Sequence, residues 1–148
     1  MPTRTAQTIW RGSLETGSGQ VELASSHAGR YDVSFPRRAA DSASGTTSPE
    51  ELIAAAHSSC YAMQLSALIG AAGGTVQRLE VTGDVSLGPD PAGGFRLTGI
   101  NITVGGDVQG LDAETYTRLT GEAKAGCPVS KALTGVEIAV NIQTPTLA

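Results

Sequence analysis

The sequence is poor in the residues that several common functions require. Of its 148 residues 16% are charged and 4% are aromatic, and cysteine and histidine occur twice each. The formal net charge is −4, and no basic run or interleaving of aromatic with basic residues occurs. These features argue against a nucleic-acid-binding surface, so we expect no nucleic-acid partner.

The two cysteines, Cys60 and Cys127, are too few for two common cysteine-based structures. A secreted disulfide framework needs more cysteines at shorter spacing. A structural zinc site needs a different number and spacing of ligands. No glycine-rich phosphate loop follows a strand and opens a helix, so nucleotide binding is not indicated. We therefore expect neither a metal nor a cofactor.

The N-terminal residues lack the apolar core of a signal peptide, and only one stretch approaches the length of a membrane span. That stretch, residues 46–70, carries His57, Gln64 and several serines, so a helix of the protein core is the better interpretation. We therefore expect a cytoplasmic protein with no membrane partner. Its length and its 40% apolar content indicate a single domain over residues 1–148.

The long apolar stretch in the middle of the chain begins with a strong helix signal. Ser48 is a good N-cap, Pro49 occupies the first helical position, and Glu51 completes a Ser-x-x-Glu capping box. Glu51 thus has a local role, whereas its neighbour Glu50 has none. Residues 52–69 carry no net charge and are apolar on most of the circumference, which is typical of a buried helix.

Alternation of polar and apolar residues predicts strands in the rest of the chain. An α+β fold with mainly antiparallel sheet is favoured, because strands and helices do not alternate singly. A loop at 37–47 carries the adjacent Arg37 and Arg38, and a parity shift near Gly99 indicates a bulge. The predicted strands are 6–11, 20–25, 31–35, 77–87, 95–104 and 136–142, and the further helices are 112–125 and 128–133.

Either cysteine could be a small core residue, which is a common role for a free thiol. Their surroundings favour chemistry instead. Cys127 precedes a helix that begins at Pro128, where unpaired N–H groups and the helix dipole favour a thiolate. Cys60 lies on the long helix, and Glu50 and the two arginines lie at or just before the start of that helix. An arginine that is held by a carboxylate beside a thiol lowers the pKa of the thiol. Judged from the residues alone, Cys127 is a candidate nucleophile as well as Cys60.

His57 lies one helical turn before Cys60, where a Cys–His dyad would be possible. A histidine that acts as the base needs a third group to orient it, and Glu50 is the only candidate for that group. A hydrogen-bonded histidine at the helix surface is therefore the favoured interpretation.

Two blocks of sequence, residues 47–66 and 123–133, resemble the signature blocks of the OsmC/Ohr family, the osmotically inducible and organic hydroperoxide resistance proteins. The first places Glu50 ten residues before Cys60, and the second contains Cys127 followed by proline. His57 makes the first block more similar to the OsmC branch, because a tyrosine usually takes that place in Ohr. The resemblance covers nearly the whole chain.

The resemblance implies an OsmC-like α+β fold, with mainly antiparallel sheets around long central helices in an intertwined homodimer. A dimer would also cover the apolar central helix, which one chain of this length with few aromatic residues has difficulty burying alone.

The resemblance further implies a thiol-dependent peroxidase that reduces organic hydroperoxides and, less readily, hydrogen peroxide. In such an enzyme Cys60 attacks the peroxide and becomes a sulfenic acid. Cys127 resolves it as a disulfide, and a dithiol such as lipoamide, or another thiol reductant, restores both. Arg38 and Glu50 correspond to the arginine–glutamate pair of the family, with Arg37 as an alternative to Arg38.

Two other functions fit the same residues. One is a redox-sensing or ligand-binding module that keeps the fold without useful turnover. The other is a disulfide reductase that acts on protein or small-molecule thiols. Consumption of hydroperoxide distinguishes the peroxidase from both.

Overall fold

The chain forms two compact units, each with its own β-sheet. The computed structural model describes residues 1–143 and 145–147. The first unit is Met1–Leu52 and the second is Ile53–Ala148. Strands and helices are mixed along the chain, and the predicted α+β class is confirmed.

The first unit is built on a small antiparallel sheet of three strands in the order β1-β2-β3. All three strands were expected, the second and third from their alternating residues, and each connection is short enough for antiparallel neighbours. The strands are β1 (Gln7–Arg11), β2 (Ser18–Glu22) and β3 (Arg30–Val33).

A short helix, α1 (Phe35–Arg38), stands where the sequence predicted the start of a loop. The hydroxyl of Ser34 accepts a hydrogen bond from the Arg37 backbone N–H, and Pro36 lies in the first turn. A capping hydroxyl and an early proline are strong helix starts, and they outweigh the loop-like composition that follows. Because successive helical residues are rotated by about 100°, α1 directs Arg37 and Arg38 differently.

The long helix predicted in the middle of the chain is α2 (Pro49–Ala71). Its N-terminal cap has the expected residues, because the Glu51 N–H donates to the Ser48 hydroxyl over 3.2 Å. The Glu51 carboxylate accepts from the Thr47 hydroxyl at 2.6 Å. The Ser48 half of the predicted capping box is therefore confirmed, whereas the Glu51 carboxylate binds the Thr47 hydroxyl instead of the Ser48 N–H.

Helix α2 buries only one of its faces within a single chain. Only 22% of its most apolar 18-residue window is buried, so one chain leaves most of this apolar helix uncovered, as its apolar surface led us to expect. Helix α2 is long and apolar enough to cross a membrane, but core helices of soluble proteins can have the same length and composition. The buried stripe is His57, Tyr61, Leu65 and Ile69, and the exposed face includes Ala55, Ala56, Ser59 and Met63.

The second unit contains a four-stranded sheet centred on a long antiparallel hairpin. Two later strands pair in parallel with the second strand of that hairpin, so this sheet is more mixed than predicted. The helices between the hairpin and the next strand provide the crossover that parallel pairing needs. The strands are β4 (Thr75–Pro89), β5 (Phe95–Gln109), β6 (Ile138–Ile142) and β7 (Thr146–Leu147), of which β7 was not expected.

The bulge predicted near Gly99 is present in the β4–β5 hairpin. Ser86 pairs with Gly99, whereas the next residue, Leu87, pairs with Leu97. One residue of β5 is therefore left over, which accounts for the shift in the apolar alternation.

Helices α3 (Ala113–Gly126) and α4 (Pro128–Ala132) follow one another directly, with Cys127 in an extended conformation between them. The carboxylate of Asp112 caps α3 by accepting from the Thr115 N–H at 2.7 Å. One face of α3 packs into the core with α2 and the sheet. The buried residues of this core include Tyr116, Leu119, Ala123, Ile102 and Val104.

The β4–β5 hairpin depends on a glycine at position 106. Gly106 has φ of 150°, and a Cβ built there would lie 2.1 Å from the Arg78 carbonyl oxygen. We predict that Gly106→Ala lowers the free energy of unfolding by about 1–3 kcal/mol or more, because backbone strain of this kind usually costs that much. Urea denaturation of the purified protein measures this change.

The matched control for this prediction is Gly99→Ala in the same strand. No heavy atom lies within 4 Å of a Cβ built at Gly99, so we expect a change below about 1 kcal/mol. Equal losses of stability in the two variants would contradict the assignment of strain to position 106.

Candidate active site

The four residues predicted to form the site occur as two pairs, one in each unit. Arg38 and Glu50 form an ion pair in the first unit. Cys60 and Cys127 lie together in the second. That the two pairs form one site stays a prediction.

The ion pair in the first unit has the geometry expected of an arginine held by a carboxylate. Arg38 Nε donates to both Glu50 oxygens at 3.1 Å, and Nη2 donates to Oε1 at 2.6 Å. Arg37 instead donates to the Ser44 hydroxyl at 3.4 Å. Because α1 directs the two arginines differently, only Arg38 makes this pair.

The electrostatics of this pair favour the charged form of both partners. Burial raises the pKa of Glu50, but hydrogen bonds from Arg38, its own backbone N–H and Ser48 outweigh burial and lower it. The hydrogen bond to Glu50 in turn raises the pKa of Arg38. Glu50 therefore holds the charged guanidinium of Arg38 in place, and the Arg38 side chain remains 30% exposed.

A groove of about 430 Å³ in the first unit has Arg38 in its wall. Its other walls are largely apolar, so it can accept an apolar molecule beside a guanidinium group. The lining residues include Trp10, Leu14, Val21, Phe35 and Leu52.

The two cysteines of the second unit are free thiols whose sulfur atoms lie 3.1 Å apart. Cys127 is fully buried, whereas Cys60 is partly exposed. A disulfide bond is about 2.05 Å long, so a small movement of the side chains would close one. Among the residues described, no group of three His, Cys, Asp or Glu side chains could hold a metal ion.

The protein shifts the pKa values of the two thiols in opposite directions. Burial raises the pKa of Cys127, but the nearby backbone N–H groups of Ser130 and Val129, the Cys60 thiol and the Ser130 hydroxyl outweigh burial and lower that pKa. Burial, followed by the hydrogen bond to Cys127, raises the pKa of Cys60. Of the two thiols, Cys127 therefore ionises more readily, as the position before α4 predicts.

The site contains one contact that sequence reasoning missed. His57 Nε2 lies 2.7 Å from the Ser130 hydroxyl oxygen, and His57 is fully buried. Its expected position at the helix surface is wrong, because it belongs to the buried stripe of α2. The position of Ser130 in the sequence offered a signal. Ser130 is the third residue after the cap residue Cys127, and the residues of a first helical turn lie close to the cap.

Helix α4 brings Ser130 against the buried histidine of α2. The Ser130 hydroxyl reaches His57, and Ser130 also helps to lower the pKa of Cys127. Burial lowers the pKa of His57, which favours the neutral imidazole. The arrangement places a buried imidazole beside a hydroxyl that lies three residues along the chain from Cys127.

Comparison with known proteins gives consistent matches. A family model described as OsmC-like protein matches residues 41–142. The curated protein Peroxiredoxin OsmC of Escherichia coli (strain K12) is 40% identical over 127 residues, covering 86% of this chain and 87% of that protein. Peroxiredoxin OsmC of Shigella flexneri matches with the same identity and coverage.

Solved structures of similar fold include two organic hydroperoxide resistance proteins. The OhrB structure of Bacillus subtilis has a TM-score of 0.72 and 29% identity, covering 94% of this chain and 98% of that chain. The structure from Elizabethkingia anophelis has a TM-score of 0.75 and 24% identity, covering 97% and 98% respectively. The second match bears on the fold alone.

Proposed function

The chain belongs to the OsmC-like protein family, and from this premise we propose that it is a thiol-dependent peroxidase that reduces organic hydroperoxides. Its relatives are named peroxiredoxins and organic hydroperoxide resistance proteins. The observation that carries the proposal is the pair of free thiols 3.1 Å apart. A hydroperoxide is the substrate and a thiol is the reductant.

In the first step the Cys60 thiolate attacks the terminal oxygen of the hydroperoxide. An S–O bond forms and the O–O bond breaks, which leaves Cys60 as a sulfenic acid. The departing alkoxide takes up a proton and leaves as an alcohol. We assign this step to Cys60 because it is partly exposed, whereas Cys127 is fully buried.

In the second step the Cys127 thiolate attacks the sulfur of the oxidised Cys60. The S–S bond forms, the S–O bond breaks, and the departing hydroxide takes up a proton to become water. The short sulfur–sulfur distance and the lowered pKa of Cys127 support this role.

A dithiol of the lipoyl type, or another thiol, then returns the enzyme to its reduced form. One reductant thiolate attacks the disulfide and forms a mixed disulfide. The second reductant thiol displaces the enzyme cysteine and leaves as part of an oxidised disulfide. Both enzyme cysteines end the cycle as thiols.

Arg38 and Glu50 complete the site in this proposal. Within the second unit the pKa of Cys60 is raised, so a peroxidatic role needs a further group that favours its thiolate. A guanidinium near a thiol does this, and Glu50 holds Arg38 by its bidentate pair. The apolar groove beside Arg38 suits the organic part of the substrate.

The active protein is a homodimer in this proposal. Helix α2 exposes Ala55, Ala56, Ser59 and Met63, with Met63 at 71% exposure. Small residues allow another helix to approach closely, and an exposed apolar face gains from being covered. The single domain over residues 1–148 and the cytoplasmic location stay predictions.

We predict that Cys60→Ser abolishes the loss of cumene hydroperoxide in the presence of a dithiol, because the attacking sulfur is gone. The Cys127→Ser variant should react once and stop with Cys60 as a sulfenic acid that can be over-oxidised.

In the wild type, one equivalent of hydroperoxide should link the Cys60 and Cys127 peptides with loss of two hydrogens, as measured by non-reducing mass spectrometry. A wild type that consumes no hydroperoxide with any dithiol would rule out the peroxidase and leave the sensor or reductase.

A second prediction tests the arginine. In a Cys127→Ser background, Arg38→Ala should slow alkylation of Cys60 near neutral pH by about tenfold or more, because an opposite charge lowers a pKa by about 1–3 units. The pH profile of the alkylation rate should move to higher pH. Arg37→Ala is the matched control and should leave the profile in place. An unchanged profile in the Arg38 variant would exclude its proposed role.

A third prediction tests the dimer. Analytical ultracentrifugation should give twice the mass of one chain, and Met63→Glu should shift the population toward monomer by placing a charge on the covered face. The control is Phe95→Glu, since Phe95 is exposed in a different element, at the start of β5. A monomeric wild type at micromolar concentration would disprove the dimer.

A further inference from the structure

Two side-chain contacts of equal spacing join the middle of α2 to the start of α4. His57 Nε2 lies 2.7 Å from the Ser130 hydroxyl oxygen, and the sulfur atoms of Cys60 and Cys127 lie 3.1 Å apart. On each side the two contacting residues are three positions apart in the sequence. Residues at that spacing lie on one face of a helix. The two contacts are therefore neighbours, and a contact that holds Ser130 also limits where Cys127 can lie.

The short helix α4 has little else to anchor its first turn. Of its five residues, Pro128–Ala132, Ser130 is the one that is buried. Leu133, which packs against the core, follows the other end of the helix. An aliphatic side chain at position 130 would be stabilised by burial alone. The buried position instead carries a hydroxyl that is bound to His57, so the placement of this turn against α2 depends on a hydrogen bond.

The histidine is as specific a choice as the serine. His57 is fully buried, and its Nδ1 atom has no hydrogen-bond partner within the described part of the chain. A buried polar atom without a partner is destabilising. Leu65 and Ile69 fill later positions of the same stripe without a polar atom, so packing alone does not account for a histidine here. Nε2 can donate to a hydroxyl or accept from it, so the contact with Ser130 forms in either tautomer.

We propose that His57 and Ser130 are positioning residues that hold Cys127 against Cys60 for disulfide formation. His57 acts through Ser130, and Ser130 acts by fixing the first turn of α4 against α2. This inference rests on the proposed two-cysteine cycle and adds to it the contact that sets the approach of the second thiol.

The step that depends on this placement is the attack of the Cys127 thiolate on the sulfur of the Cys60 sulfenic acid. The S–S bond forms, the S–O bond breaks, and the departing hydroxide takes up a proton to become water. The two cysteines are 67 residues apart in the chain, so only tertiary contacts keep their sulfur atoms together. Holding two reacting groups in the right geometry is a large part of the rate of an intramolecular reaction.

The same contact bears on the equilibrium between the dithiol and the disulfide. In the dithiol, Cys127 stays near Cys60 only while the start of α4 is held, whereas in the disulfide a covalent bond holds it. Loss of the His57–Ser130 contact therefore gives new freedom mainly to the dithiol and favours that form. A loss of stability that is equal in the two forms leaves the equilibrium unchanged. The reduction potential thus distinguishes positioning from a general structural role.

The experiment measures the reduction potential of the Cys60–Cys127 pair in dithiothreitol buffers. One dithiothreitol becomes its cyclic disulfide as the protein disulfide becomes two thiols, and alkylation followed by mass spectrometry counts each form. We expect Ser130→Ala and His57→Leu each to favour the dithiol by about tenfold, the effect of one hydrogen bond of ordinary strength. A tenfold change corresponds to a potential that is less negative by about 30 mV.

Further variants separate the contact from other effects. Ser130 also influences the pKa of Cys127, whereas His57 binds Ser130, so His57→Leu tests the contact without removing a group that acts on the thiol. The double variant should lose no more than either single variant, as expected of two residues that act as a pair. Ser130→Thr and His57→Gln keep polar partners and should recover most of the wild-type potential.

The matched control is Ser58→Ala, which removes a hydroxyl from the residue next to His57. The Ser58 hydroxyl donates to the Ala55 carbonyl of its own helix at 3.3 Å, so its loss should leave the potential unchanged. An equal shift in Ser58→Ala and Ser130→Ala would overturn the inference. Wild-type potentials in both Ser130→Ala and His57→Leu would also overturn it, even if both variants unfold more easily. If His57→Leu does not fold, the comparison of Ser130→Ala with Ser130→Thr provides the same test.

A second measurement follows the disulfide-forming step itself. After one equivalent of hydroperoxide, acid quenching and non-reducing mass spectrometry measure the sulfenic acid and the disulfide. We expect Ser130→Ala to form the sulfenic acid at the wild-type rate and the disulfide about tenfold more slowly. The potentials need no hydroperoxide. A wild type that never oxidises Cys60 with hydroperoxide would therefore overturn only the proposed function, and the potentials would still decide whether His57 and Ser130 position Cys127.

Discussion

One seam of α2 makes three polar contacts, one with α3, one with α4 and one with Cys127 between them, and the chemistry of the second unit depends on this seam. Within little more than one turn, His57 contacts Ser130, Cys60 contacts Cys127, and the Tyr61 hydroxyl donates to the Thr120 carbonyl at 2.8 Å. Buried polar groups need partners, so these contacts define one register between the helices. A shift by one residue would separate the sulfurs and leave the histidine and the tyrosine unpaired.

The same seam assigns different properties to two identical side chains. Cys127 lies at a helix start, where N–H groups favour its thiolate, and it has no exposure. Cys60 lies in mid-helix, is reachable from solvent, and has a raised pKa. A peroxide can therefore reach the thiol that still needs activation, while the activated thiol is kept for the second step. The proposed role of Arg38 follows from this division.

Local signals in the sequence were enough for the parts of the fold that depend on neighbours in the chain. A few adjacent residues were enough to predict each of three local features: the cap at Ser48, the helix cap at Cys127 and the bulge beside Gly99. The short helix α1 and the parallel pairing of β6 were not anticipated. The first is decided by a single cap at Ser34 that competes with loop-like residues, and the second by a crossover whose direction no local pattern encodes.

By itself, the sequence determined the residue types of the candidate site, through two blocks that resemble a known family. It also determined which residues begin the helices that carry the thiols. Only the tertiary structure decided that Arg38 rather than Arg37 binds Glu50, and that His57 is buried against Ser130. The reason is physical: hydrogen-bond partners far apart in the chain are chosen by the register and rotation of packed helices. Those quantities depend on the whole core rather than on any short stretch of residues.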